Sequence, residues 1–206
     1  TKYAIMKNQG NKKYNESFMN TVFMAIVIGI IFFLTGIIFS GNIATLLGAN
    51  KQVYHMTSIY LKVLLMFGPA FVLNNVMNAF VRNDGNPKLS MIAMLVGSFG
   101  NIILDYLLVI KFSMGMFGAV LATGFSPIMG LMVLSGHIVS ENSSIKFKVA
   151  KIRASFIKSI IMLGIPSFVA EMSSGIVIFV FNIIILGLQG NVGVAAYGVI
   201  ANLALV

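Results

Sequence analysis

The sequence predicts an all-α integral membrane protein, a polytopic helical bundle, on three observations. Of its 206 residues 58% are hydrophobic and only 9% charged, where a soluble domain is about 45–50% apolar and about 25% charged. Mean hydropathy is +0.97. The apolar residues also gather into stretches approaching or exceeding the about 20 residues that a bilayer-spanning helix needs, and short polar clusters rich in Gly, Asn and Pro separate those stretches.

The spans follow in order. The first is Thr21–Phe39, closed by the turn signal "SGN" at Ser40–Asn42. The second is Val63–Val81, with Pro69 inside it as a tolerated kink, and "RNDGNPK" (Arg82–Lys88) ends it. The third, Leu89–Ile110, and the fourth, Gly115–Val139, are joined by the turn "FSMGMFG" at Phe112–Gly118. A fifth, longer span runs Ser159–Leu188, and "LQGN" (Leu188–Asn191) separates it from a sixth starting near Gly193. Short connections make neighbouring helices antiparallel. The polar, basic stretch Ser140–Lys158 is the longest internal linker. It divides an N-terminal lobe (1–139) from the start of a C-terminal lobe (159–206), with 140–158 between them. Because the chain starts at Thr1 and stops at Val206 within an apolar run, an internal fragment of a longer protein is expected.

Charge sets orientation. Lys2, Lys7, Lys12, Lys13, Arg82, Lys88, Lys146, Lys148, Lys151, Arg153 and Lys158 fall on one set of alternating loops; Lys51, Lys62 and Lys111 fall on the other. The excess of Lys and Arg on the first set places it in the cytoplasm. The net charge of +9 is spread over membrane loops rather than gathered on a groove-sized face, so nucleic acid is excluded as a partner. There is no cysteine, hence no disulfide or thiolate metal site. No phosphate loop, nucleophile–base pair or metal-ligand spacing is present, so neither an enzyme nor a cofactor is expected. His55 and His137 lie near helix ends with no partner identifiable from sequence.

Two of the five acidic residues lie inside spans: Asp105 and Glu171. A carboxylate in hydrocarbon costs several kcal/mol, about 3 at the least, so each calls for a role. Asn101 precedes Asp105 by one helical turn and shares its face. Thr123 lies roughly 12 Å below the start of the following, descending helix, at a depth similar to Asp105. A carboxylate, an amide carbonyl and a hydroxyl form an oxygen set suited to a hard monovalent cation, or to a carboxyl that gains and loses a proton. The competing reading is an interfacial Asp105 that hydrogen-bonds Asn101 or a loop.

Those residues sit in "FVRNDGNPKLSMIAMLVGSFGNIILDYLLVIKFSMGMFGAVLAT", Phe80–Thr123. This stretch resembles the multidrug and toxic compound extrusion (MATE) transporters. It carries an Arg with a Gly-x-Pro turn (Arg82, Gly85, Pro87), Asn-x-x-x-Asp (Asn101, Asp105), and Gly-Ala-x-x-Ala-Thr (Gly118–Thr123). The resemblance implies helices three to eight of twelve, in two six-helix bundles facing a V-shaped cavity, with Ser140–Lys158 as the cytoplasmic link. It further implies that Asn101, Asp105 and Thr123 form the coupling site, completed by an aspartate of the family's first helix, and that they are metal ligands only where the coupling ion is Na⁺.

Glu171 follows Pro166 by about a turn and a half, and Pro166 is a candidate hinge because proline removes a backbone hydrogen bond inside a helix. Asn182 is three turns further along, almost on the same face. In MATE relatives a seventh-helix glutamate aligns with Ser174 here, one turn beyond Glu171. Glu171 and Asn182 are candidates for a central substrate cavity; a packing glutamate bonded between helices is the alternative. Asn78 is a further cavity candidate, although Asn74, Asn75 and Asn78 equally suit helix–helix adhesion. The fourteen Met and seventeen Phe suit an adaptable apolar cavity.

The expected function is export of small cationic or amphipathic compounds, by a monomer in the bacterial inner (plasma) membrane, driven by inward flow of Na⁺ or H⁺. Other readings are a lipid-linked oligosaccharide flippase of the same superfamily, which requires a cationic cavity, and a non-transporting scaffold or channel, which requires a repeated polar stripe.

Overall fold

The computed structural model describes residues 14–140, 143–147 and 153–204. Lys2, Lys7, Lys12, Lys13, Lys148 and Lys151, used above for orientation, lie outside the described residues. The described chain is helical: α1 (Tyr14–Leu46), α2 (Tyr54–Met66), α3 (Gly68–Asn83), α4 (Pro87–Asp105), a π-helical turn (Tyr106–Lys111), α5 (Gly115–Val139) and α6 (Ala154–Ala204). Four of these are long and apolar enough to cross a membrane, and so is the bent pair α2–α3 when the two halves are taken as one span. The chain is thus an all-α, multi-pass membrane protein. Two compact units are resolved, Thr1–Ile157 and Lys158–Val206.

Two sequence-based elements change. The turn expected at Ser40–Asn42 is absent, since α1 continues to Leu46 and the chain turns only beyond it. Gly41 lies within the helix rather than in a turn. It is a contact point: a Cβ at Gly41 would come within 2.6 Å of the Tyr54 hydroxyl. The second span is not one helix. It breaks at Phe67, and the two halves meet at a 46° bend. Pro69 lies in the first turn of the new helix, where a missing N–H costs nothing, so it marks a helix start rather than an internal kink. The bend lets α1 pass very close: Gly29 faces the Pro69 Cα, and Gly36 faces the Leu65 Cβ, each at 2.6 Å from where a Cβ would sit. Without a hydrophobic drive between helices in lipid, such small-residue contacts supply the packing.

The turn at "RNDGNPK" forms as expected. Asn86 caps α4, its Oδ1 accepting the Leu89 N–H at 3.1 Å, with Pro87 in the first turn. The expected separation at Leu188–Asn191 also appears, as a break in α6 at Gly190, whose φ of 65° and ψ of −157° suit glycine. The two arms touch again where Phe181 stacks on Tyr197, centroids 5.7 Å apart. Helical geometry is otherwise kept through α6, including at Pro166.

The protein-buried core of the first unit sits at one end of the bundle. Phe18, Val22, Met77, Phe80, Val81, Ala93, Leu134 and Ile145 converge there from α1, α3, α4, α5 and the linker. The start of α1, the α3–α4 turn and the end of α5 therefore meet at the same end, as the charge tally requires of cytoplasmic segments. Most other large apolar side chains on α1, α4 and α6 are exposed, as expected of surface that meets lipid.

Candidate functional site

The α4–α5 pair holds the polar residues singled out above. It is antiparallel and tightly packed. Ser126 Oγ donates to the Gly97 carbonyl at 2.9 Å across the interface. Nearer the connecting turn, Gly118 abuts Leu108: a Cβ there would lie 2.9 Å from the Leu108 carbonyl carbon. Interpolating between these two contacts puts Thr123 level with Asn101, and Asp105 one turn nearer the α4–α5 connection. All three side chains are half-buried. The Thr123 hydroxyl donates to the Ala119 carbonyl at 3.0 Å, leaving its lone pairs available as an acceptor. Among the described residues, no hydrogen bond or ion pair reaches the Asp105 carboxylate.

One feature at this site is not legible in the sequence. Asp105 is the last α-helical residue of its span, and the backbone then widens into the π turn. The Phe112 N–H reaches the Leu107 carbonyl, an i→i+5 bond, at 2.9 Å. Ser113 beyond it takes φ 53°, a left-handed conformation that costs a non-glycine residue of order 1 kcal/mol or more. Such π turns frequently mark functional sites. Gly118 explains why this one fits: only a residue without a side chain admits the Leu108 backbone so closely.

The remaining candidates are placed separately. Glu171 is exposed and Asn182 half-buried on α6, in the second unit. The Asn182 side-chain oxygen is buried without a hydrogen-bond partner, and the Ser174 hydroxyl donates to the Ala170 carbonyl at 3.3 Å. Asn78 joins helices: its side-chain oxygen accepts from Ser90 Oγ on α4. Asn74 is different. Its Oδ1 is buried without a partner, against Gly130 of α5. A cleft of ≈ 440 Å³ lined by Gly41, Asn42, Thr45, Leu46 and Tyr54 contains none of the sequence-selected residues. His137, without an identifiable partner in sequence, is bonded to Asp84 at 2.9 Å. The two are 53 positions apart, a separation no local pattern reveals.

The MatE family profile matches residues 8–107. The multidrug export protein MepA of Staphylococcus aureus (strain bovine RF122 / ET3-1) is 32% identical over 195 residues, 94% of this chain and 43% of that protein. The chain thus spans less than half the length of such relatives. Among solved structures, the MATE multidrug transporter DinF-BH superposes with a TM-score of 0.84 at 24% identity, covering 91% of this chain and 43% of that one. A transporter of the MOP superfamily from Pyrococcus furiosus Vc1 superposes with a TM-score of 0.83 at 23% identity, over 98% and 46% of the two chains.

Proposed function

The chain belongs to the multidrug and toxic compound extrusion family, and on that premise we propose that the protein it is part of exports small cationic or amphipathic compounds from the cell. Export is driven by inward Na⁺ or H⁺ through Asp105, in a monomer in the plasma membrane. The observation that carries this reading is the placement of Asp105. It is a half-buried carboxylate within a membrane span, one turn from Asn101 and packed beside the helix of Thr123. A fixed charge in that position costs several kcal/mol. A charge that a proton or cation neutralises in one half of a cycle bears that cost only in the other half. Asn101 and Thr123 supply neutral oxygens to the same ion. Coupling follows when ion and drug favour different states of the helices. Glu171 and Asn182 line the drug path in the second lobe, with Pro166 as the nearby hinge.

The test is Asp105→Asn in the full-length protein, which keeps size and polarity and removes the charge change. Insertion and drug binding persist and gradient-driven efflux from vesicles is lost. Thr123→Ala loses least, and Asn101→Ala falls between. Imposing a Na⁺ or a pH gradient separately identifies the ion. Efflux by Asp105→Asn at the parent rate refutes the proposal.

A further inference from the structure

The stretch between the lobes is read from sequence as a polar linker, yet its described residues fold onto the first unit. Ile145 is 1% exposed and part of the core. Phe147 meets the Phe18 ring edge-on at 5.2 Å, and Phe18 meets Phe80 at 5.0 Å. Three backbone N–H groups of the linker find side-chain acceptors on the bundle: Lys146 on Asn15 at 3.3 Å, Arg153 on Asn20 at 3.0 Å, and Ser144 on Asp84 at 3.0 Å. The Arg153 guanidinium also lies 3.3 Å from Glu16.

Asp84 is the centre of this arrangement. Its side chain is fully buried, and one oxygen, Oδ2, accepts both from Ser144 and from His137 Nε2 at 2.9 Å. The geometry fixes the imidazole. Asn86 spends its Oδ1 on capping α4, which turns its Nδ2 towards His137 Nδ1 at 3.3 Å. Nδ1 is therefore an acceptor, and the proton is on Nε2, aimed at Asp84. One carboxylate thereby ties together the α3–α4 turn, the end of α5 and the linker. A buried carboxylate is costly unless paired and hydrogen-bonded, and turn geometry alone does not require one here.

We infer that Asp84 and His137 are positioning residues of the transport cycle: they lock the linker onto the N-terminal unit, so that residues 143–147 and the first turn of α6 move with that unit as one body. The inference rests on the transport reading for its consequence, but the docking can be measured without it.

The experiment uses the full-length protein in proteoliposomes, in a background free of other cysteines. Ile145→Cys reports docking by maleimide labelling. Its thiol is protected in the parent and labels at least about tenfold faster with Asp84→Ala or His137→Ala, since each removes a hydrogen bond to a buried charge. Ser144→Pro, which removes the backbone donor to Asp84 while leaving Asp84 and His137 in place, exposes the same thiol and separates loss of docking from loss of the buried pair. The first two variants bind drug as the parent does and export it about tenfold more slowly. A short bifunctional maleimide joining Asn15→Cys to Lys146→Cys restores the rate of Asp84→Ala. Three results overturn the inference: rapid labelling of Ile145→Cys in the parent, export by Asp84→Ala at the parent rate once that thiol is exposed, or arrest of the parent by the crosslink, which means the linker must undock. Absence of export by the parent instead refutes the transport reading, and the labelling rates still decide the docking.

Discussion

Gly118→Ala tests the packing that holds Asp105 in place. A methyl on Gly118 lies 2.9 Å from the Leu108 carbonyl carbon and 3.0 Å from its oxygen and Cβ. Carbon contacts are comfortable at about 3.5–4.0 Å, so α5 and the π turn must separate by roughly half an ångström. The obstacle is backbone, which cannot swing aside as a side chain does. Overpacking of this kind costs about 1–3 kcal/mol, while replacing helical glycine by alanine returns about 1 kcal/mol. The balance is a net loss of up to about 2 kcal/mol. Gly136, on the same helix, has nothing within 4 Å of its missing Cβ. Gly136→Ala therefore keeps the propensity gain and is neutral or stabilising by up to about 1 kcal/mol. The assay is reversible unfolding of the full-length protein in mixed micelles, the two variants beside the parent. Gly118→Ala must be the less stable of the two. Equal stabilities for Gly118→Ala and Gly136→Ala refute the claim that close approach to Leu108 builds this site. Reconstituted in proteoliposomes, Gly118→Ala reduces efflux, because the displaced π turn begins at the residue after Asp105.

Glu171→Gln weakens efflux of cationic drugs more than of neutral ones if Glu171 faces the drug path; equal losses accompanied by less folded protein in the membrane indicate packing instead. Single cysteines replacing the exposed Lys88 and Lys51 label from opposite sides, Lys88→Cys only from the cytoplasm and Lys51→Cys only from outside, and exchange of the two patterns overturns the orientation.

What the sequence determined by itself is everything set by composition and by residues within a few turns of one another. Hydropathy placed the spans because hydrocarbon demands internally satisfied backbone over about 20 residues. Gly-Asn-Pro at residues 85–87 marked the start of α4 through capping chemistry. Asn101 and Asp105 share a helix face by spacing alone. Tertiary structure decided the rest, because it depends on which backbone another helix presents. Gly41 and Gly118 read alike as turn residues, yet one lies within α1 against Tyr54 and the other admits Leu108. The π turn after Asp105 fits because Gly118 of the neighbouring helix admits the Leu108 backbone. Asp84 and Ser144 look like ordinary turn and linker residues until a fold brings positions 60 apart within 3.0 Å. A polar residue's partner is chosen by distance in space, and sequence records that distance only along the chain.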